Sequence, residues 1–212
     1  MGVPLGAALV RQGHEVFGVR RSATAAAELE AAGIQPLVAD VTQAATLAAL
    51  PGTFDWVVNT VAASRVGGTD EYRQVYLDGT RHLTDWLAGS PPRKFVYTSS
   101  TSVYGQDDGS LVKETSPTEP AADTAKMLVE TEQLLLTAAR ERRFPAVILR
   151  VAGIYGPDRG RLFQQMLRGE AVIPGKGERI LNMIHRDDLV GVILAALQAG
   201  RPGEVYNAVD DE

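Results

Sequence analysis

The 212-residue chain contains no cysteine, which excludes disulfide bonds, thiolate catalysis and zinc sites built on cysteine. Histidine is almost as scarce. Only His14, His82 and His185 are present, and no two of them stand at the short spacing typical of metal ligands. From the sequence we therefore expect no metal site.

An excess of basic charge and long apolar runs are also missing. The chain has 21 Lys and Arg against 26 Asp and Glu, and the basic residues are scattered, so we expect neither nucleic acid nor a membrane as a partner. No apolar run approaches the roughly 20 residues that span a bilayer. Residues 3–10 are apolar, but they are too few for a secretory signal and lack its basic start. The sequence therefore predicts a cytoplasmic protein.

Short runs rich in valine, isoleucine and aromatic residues alternate with helical stretches along the chain. The strand-like runs are residues 15–20, 35–40, 54–61, 94–100, 145–151 and 204–209. Several of them are apolar at consecutive positions, which is typical of strands buried on both faces. Between them, residues 70–89 and 186–200 have helical periodicity. This alternation predicts an α/β fold, a Rossmann-like doubly wound parallel sheet with helices on both faces.

One segment, residues 155–184, breaks the alternation. It is rich in glycine and proline and contains one short helical stretch and room for two short strands. We expect it to form a small substrate-binding lobe. The NAD(P)-binding domain would then consist of residues 1–154 and 185–212.

The opening stretch MGVPLGAALVRQGHEVFGVRRS, residues 1–22, reads as a helix followed by a strand. In a dinucleotide-binding unit, a strand and a glycine-rich turn precede such a helix, and the helix N-terminus faces the cofactor pyrophosphate. Gly2 fits the third glycine of that fingerprint, and the first strand would lie before Met1. The other interpretation is a helix start that contains glycine and binds no nucleotide.

Arg20, Arg21 and Ser22 follow the next strand, at the position that contacts the adenosine ribose. A carboxylate at this position suits a free 2′-hydroxyl, whereas guanidinium groups suit a 2′-phosphate. The two arginines therefore favour NADP over NAD, with NAD still possible. Exposed arginines can also be plain solvated surface.

Six segments together resemble the extended short-chain dehydrogenase/reductase superfamily, and more narrowly atypical, nucleoside-diphosphate-sugar epimerase-like members of the NAD-dependent epimerase/dehydratase family. They are GHEVFGVRRS, VADVT, FVYTSSTSVYG, ILRVAGIYGP, IHRDDLV and VYNAVDDE. Relatives have a complete first strand and continue beyond VDDE, so the resemblance implies a chain truncated at both ends. Because that strand lies in the middle of the sheet, we expect unpaired backbone there and weak cofactor binding.

The resemblance implies catalysis by a Ser or Thr, with a Tyr and a Lys four residues apart on one helix. The ammonium group favours the phenolate, so that the Tyr can act as acid or base. Ser100 matches the serine and Lys126 the lysine, but Ala122 stands at the tyrosine position. No tyrosine occurs between Tyr104 and Tyr155, so the acid/base group of the family is absent.

Both matched residues also have a structural interpretation. Ser100 is an ordinary residue for the end of a strand, and Lys126 can be a solvated helix lysine beside Glu130. A further departure is Tyr76, which occupies the position of an active-site Asn in relatives. Tyr104 belongs to a VYG turn and is more typical of structure than of catalysis.

The resemblance also implies contacts with the cofactor and the substrate. The implied cofactor contacts are Asp40 and Val41 at the adenine, Thr60, Val61 and Ala62 near the ribose and pyrophosphate, and Lys126 at the nicotinamide ribose. The implied substrate contacts are Thr101 and Arg159. Asp40 can instead be a strand-ending cap, and Arg159 a solvated loop residue.

Two functions stay open on the sequence. The first is an NADP-linked oxidoreductase or epimerase that acts on a nucleotide sugar or a similar hydroxyl-bearing substrate, with its proton chemistry moved to a group other than tyrosine. The second is a non-catalytic dinucleotide-binding sensor or scaffold. The resemblance also implies a possible homodimer, formed through helices near residues 70–89 and 123–141.

Overall fold

A computed structural model describes residues 1–64, 68–157, 159–172 and 180–211. The helices in these ranges are α1 Gly2–Arg11, α2 Ala26–Ala31, α3 Ala44–Leu47, α4 Thr69–Arg73, α5 Gly79–Leu87, α6 Asp123–Arg142, α7 Arg161–Leu167 and α8 Arg186–Ala199. Short 3₁₀ turns cover Ala23–Ala25 and Thr101–Val103, and a π-helix covers Gln74–Asp78 between α4 and α5.

The strands confirm the alternation that the sequence predicts, with bounds that are equal or shorter by a few residues. They are β1 Phe17–Arg20, β2 Gln35–Val38, β3 Trp56–Asn59, β4 Lys94–Ser100, β5 Ala146–Val151, β6 Gly153–Tyr155, β7 Met183–His185 and β8 Val205–Ala208. All pairings between these strands are parallel. The α/β class with a parallel sheet is therefore confirmed.

The main sheet has four strands in the order β3-β4-β5-β8. Strand β5 lies inside it, with Phe95 of β4 opposite Ala146 on one side and Val205 of β8 opposite Ile148 on the other. All six residues of β5 are buried. This burial explains why the segment is apolar at consecutive positions rather than at alternate ones.

Strands β1 and β2 form a separate parallel pair. Within the described residues, no backbone ladder joins β1 to β3. Aromatic side chains connect the two parts instead. The ring centroids of Phe17 and Phe54 are 5.7 Å apart, and those of His14 and Trp56 are 4.9 Å apart.

The core has two layers, one on each face of the main sheet. Alternation along β4 directs Val96 to the layer that includes residues of α1 and α8, and Phe95 to the layer that includes residues of α5 and α6. Helices therefore cover both faces, as in a doubly wound fold.

The segment predicted to be a lobe begins and ends beside the main sheet. Strand β6 pairs with β7, so that Gly153 lies opposite Met183, and α7 lies between these strands in the chain. Residues 158 and 173–179 of this segment are outside the described residues. The division of the chain into a cofactor domain and a lobe stays a prediction.

Candidate functional site

The carboxyl end of β3 lies next to the start of α1, and the carboxyl edge of the main sheet at this point is called the crevice below. A Cβ added to Gly2 would lie 3.8 Å from Oγ1 of Thr60, which follows β3. Parallel α/β sheets bind their ligands at this edge. The fold thus brings together two of the predicted cofactor contacts, Gly2 and Thr60.

The loop after β3 is fixed by a buried residue that the sequence analysis missed. Asn59 is 5% exposed, and its Oδ1 accepts a hydrogen bond from the backbone N–H of Val61 at 3.1 Å. Its Nδ2 donates to Oγ1 of Thr80 on α5 at 3.3 Å. The sequence contains one indication of this role. Asn59 ends an otherwise apolar strand, and a buried Asn side chain needs hydrogen-bond partners.

The predicted ribose contacts lie at the exposed end of β1. Arg20 Nη2 lies 3.5 Å from Glu28 Oε2, and the Ser22 side chain accepts a hydrogen bond from the Thr24 backbone N–H at 3.2 Å. Ser22 therefore caps the turn that leads into α2. The long ion pair of Arg20 is at the surface, where such pairs add little stability.

Arg21 lies within electrostatic reach of α4. Hydrogen bonds from Ser64 lower the pKa of Glu71, and the positive charge of Arg21 lowers it further. Ser64 Oγ donates to Glu71 Oε2 at 2.6 Å. The arginine pair thus stands between α2 and the start of α4.

Arginines also surround the start of α1. Burial lowers the pKa of the Met1 amino group to about 6, with further lowering by the nearby charges of Arg159, Arg20 and Arg186. Two of these arginines are paired with carboxylates, Arg20 with Glu28 and Arg186 with Asp187, and the N-terminus of α1 itself favours an anion. Arg159, which the resemblance implies as a substrate contact, lies close to the predicted pyrophosphate region.

The predicted adenine contacts form a tight turn after β2. Asp40 Oδ1 accepts hydrogen bonds from the Thr42 backbone N–H at 2.9 Å and from its hydroxyl at 2.8 Å. The strand-ending cap considered for Asp40 is therefore observed. His82 Nδ1 lies 2.8 Å from the Val41 carbonyl oxygen and must carry the proton, since a carbonyl only accepts.

Ser100 and Thr101 stand at the mouth of the crevice, where β4 ends. Ser100 Oγ accepts a hydrogen bond from the Ser102 backbone N–H at 3.1 Å. Thr101 Oγ1 accepts one from Asn182 Nδ2 at 2.9 Å. Thr101 thereby connects the crevice to the segment that leads into β7.

Ala122 occupies the N-cap of α6 with an extended backbone and makes no capping hydrogen bond. The position expected for tyrosine thus immediately precedes the helix that carries Lys126. Lys126 Nζ pairs with Asp123 Oδ1 at 2.9 Å. Glu130, the neighbour expected from the sequence, pairs with Arg73 at 3.5 Å instead.

Tyr76 lies in the π-helix, a distortion that often occurs at functional sites. Its ring centroid is 4.3 Å from that of Tyr72. Burial raises the pKa of the Tyr72 phenol, and Tyr76 raises it further.

Tyr97 is 1% exposed, and its hydroxyl has no hydrogen-bond partner among the described residues.

The described residues contain no cluster of three or more His, Asp or Glu side chains that could hold a metal ion. In the same ranges, no helix has the length and apolar character needed to cross a membrane.

Comparison with known proteins identifies the family. The sequence profile of the NAD dependent epimerase/dehydratase family matches residues 1–208. Protein YeeZ of Escherichia coli (strain K12) is 32% identical over 217 residues, which cover 98% of this chain and 73% of YeeZ. The dTDP-D-glucose 4,6-dehydratase of Homo sapiens is 31% identical over 147 residues, covering 65% of this chain and 41% of that enzyme.

A crystal structure with a similar fold is that of a UDP-glucuronic acid 4-epimerase mutant from Bacillus cereus, in complex with UDP-4-deoxy-4-fluoro-glucuronic acid and NAD. It is 25% identical, with a TM-score of 0.85, over 100% of this chain and 74% of that chain. The chain belongs to the NAD-dependent epimerase/dehydratase family.

Proposed function

We propose that this protein binds NADP and acts as an oxidoreductase or epimerase on a nucleotide sugar or a similar hydroxyl-bearing substrate. The observation that supports the proposal is that Thr60, beside Gly2, follows β3 and Ser100 ends β4, so that both lie at the carboxyl edge of one parallel sheet. The 4-epimerase from Bacillus cereus binds NAD and a UDP-sugar on a similar fold.

The residues of the crevice fit a dinucleotide. The start of α1, with Arg159 and Arg186 near it, suits a diphosphate. The turn at Asp40 and Val41 would hold the adenine, and Arg21 together with Arg20 would contact a 2′-phosphate. When bound, the nicotinamide supplies hydride transfer, which the side chains of this chain do not provide.

For the substrate, we propose that the Ser100 hydroxyl orients a substrate hydroxyl. Its oxygen already accepts one hydrogen bond, and its own proton can be donated outward. Thr101 would contact the same substrate. Because Ala122 carries no acid or base, the substrate proton would pass to a group other than a tyrosine at this position.

The alternative is a non-catalytic dinucleotide-binding sensor or scaffold. Two observations favour it: Ala122 precedes α6 as an N-cap, and Lys126 is paired with Asp123. A sensor needs the cofactor crevice but not the proton chemistry.

The cofactor proposal is tested by titrating the 212-residue protein with NADPH and NADH and following nicotinamide fluorescence. We expect NADPH to bind about tenfold tighter or more, since a charge-assisted hydrogen bond contributes about 1.5–3 kcal/mol. The variant Arg20→Ala/Arg21→Ala should lose this preference, while the control Arg140→Ala on α6 should keep it. Equal affinity of the wild type for both cofactors would overturn the assignment of the arginines.

The catalytic proposal is tested by incubating the protein with NADP or NADPH and a panel of UDP- and dTDP-sugars. We expect turnover of at least one sugar, and its loss in Lys126→Ala but not in Lys113→Ala, which changes an exposed loop lysine. Cofactor binding without turnover of any sugar would favour the sensor.

A further inference from the structure

An ion pair lies inside the molecule, beneath the crevice. Arg150 in β5 is 5% exposed and Glu132 on α6 is 1% exposed. Arg150 Nη2 lies 2.7 Å from Glu132 Oε2, and Arg150 Nε donates to both carboxylate oxygens at 3.2 and 3.1 Å. Removing two charges from water opposes folding, and an apolar pair of the same size is often as stable. The pair therefore calls for an explanation other than stability alone.

Glu132 of the ion pair is hydrogen-bonded to Ser99, the residue before Ser100. Ser99 Oγ donates a hydrogen bond of 2.6 Å to Glu132 Oε1. Ser99 and Ser100 point to opposite faces of β4, as successive strand residues do. Fixing Ser99 against α6 therefore fixes the direction of Ser100.

Arg150 of the ion pair contacts Tyr104, which ends the turn that contains Thr101. Arg150 Nη1 donates to the Tyr104 hydroxyl oxygen at 2.9 Å, and the guanidinium carbon lies 4.9 Å from the Tyr104 ring centroid. The Tyr104 hydroxyl donates to Asn207 Oδ1 at 2.7 Å. The same arginine nitrogen donates to the Glu114 carbonyl oxygen at 3.1 Å.

Residues on both sides of Ser100 and Thr101 are thus bonded to a single ion pair. We propose that Arg150 and Glu132 are positioning residues that hold residues 99–104 in the geometry required at the mouth of the crevice. Both side chains are buried, so they act through Ser99 and Tyr104 rather than by touching a substrate. The expected effect of these residues on kcat rests on the proposed function, whereas their expected effect on hydrogen exchange in residues 99–104 does not.

The test separates positioning from stability. A single substitution in the pair leaves one buried charge without a partner and is expected to impair folding. The double variant Arg150→Met/Glu132→Leu removes both charges and keeps an apolar volume in the core. We expect it to unfold cooperatively near the wild-type temperature, with backbone amides of residues 99–104 exchanging with solvent at least tenfold faster.

A second variant covers the case in which the double variant does not fold. Tyr104→Phe removes the hydroxyl that connects Arg150 to Asn207 and leaves no unpaired charge. We expect faster exchange in residues 99–104 for this variant as well. Its matched control is Tyr206→Phe, which removes a hydroxyl bonded to the Arg201 backbone N–H and should leave exchange in residues 99–104 unchanged.

With a sugar that is turned over, the variants should also lower kcat at least tenfold while changing the affinity for NADPH less than twofold. A merely structural role would leave exchange in residues 99–104 at the wild-type rate in every folded variant, and that result would overturn the proposal. If the wild type turns over no sugar, the proposed catalytic function fails, and hydrogen exchange still decides the positioning role.

Discussion

Single residues in the loop between β4 and α6 connect the crevice to the far edge of the sheet. The carboxylate of Glu114 accepts a hydrogen bond from the Asn207 backbone N–H, at the carboxyl end of β8, at 2.8 Å. This bond, followed by one from its own backbone N–H, lowers the pKa of Glu114 below its ordinary value of 4.5. An exposed carboxylate thus ties the loop to β8.

This shift predicts a pH dependence of stability. A carboxyl with a lowered pKa in the folded state contributes stability above its unfolded pKa, and this contribution is lost as pH falls through the folded pKa. We expect Glu114→Gln to be less stable than wild type at about pH 7, by less than about 1 kcal/mol because the group is exposed. In urea unfolding, the difference should hold down to about pH 4.5 and shrink below it, as pH falls through the lowered pKa of the folded state.

The matched control is Glu119→Gln, which changes an exposed carboxyl of the same loop. A stability difference for Glu114→Gln that stayed constant over this pH range, or that equalled the control throughout, would contradict the assignment.

Helix α6 is the element that connects the core with the crevice. Its buried residues include Leu128 and Leu135, and Glu132 lies on the same side. Its first turn carries Lys126. The backbone carbonyl of Ala122 accepts hydrogen bonds from the N–H groups of Ala125 and Lys126, but its methyl side chain cannot accept one from the free N–H groups earlier in that turn, so the start of the helix is less stable than it could be.

We therefore expect Ala122→Ser to stabilise the protein by about 1 kcal/mol, the usual gain from a capping hydroxyl. The measurement is the free energy of unfolding in urea. Ala121→Ser, one residue earlier and also exposed, is the control and should change stability by less than about 0.5 kcal/mol. Equal effects of the two substitutions would mean that residue 122 is not the cap.

Elements differ in how far sequence could predict them. The run at residues 145–151 predicts β5 nearly to the residue, because burial on both faces leaves apolar residues at consecutive positions, with Arg150 as the exception. Residues 70–89 read as one helix, whereas the structure has a π-helix between α4 and α5. The helical periodicity of residues 70–89 gives no indication of this π-helix.

In the candidate site, too, some features could be predicted from the sequence and others could not. Ser100 and Thr101 could be placed at the crevice because the carboxyl ends of parallel strands meet at one edge. The partners of Lys126 and Arg150 could not be predicted, since they depend on which groups the tertiary fold brings together. A charged residue inside the apolar run of β5 was the one available signal for Arg150, because a buried charge needs a partner.

At the scale of the whole molecule, the parallel strands form two unequal groups. The β1-β2 pair has four residue pairs in register, whereas β4 and β5 have six and are flanked by further strands. Two isolated strands are only marginally stable. The small pair therefore depends on its packing against α1, α2 and the aromatic side chains near β3.

We expect this difference to appear in native-state hydrogen exchange. Amides of β1 and β2 should exchange through local opening, while those of β4 and β5 should exchange only on global unfolding. A low concentration of urea should therefore accelerate β4 and β5 more than β1 and β2, because global unfolding exposes more surface. Identical urea dependence in all four strands would show that the two groups open as one unit.

The register of the main sheet also determines the order in which the protein can fold. Phe95 pairs with Ala146, and Ile148 pairs with Val205, so every ladder in this sheet joins segments separated by a whole helix or more. Contacts that close such long loops form slowly. During synthesis, β4 can pair with β3 as soon as it emerges, but its other edge stays unpaired until α6 and β5 have left the ribosome, and its apolar residues need protection from other nascent chains during that interval.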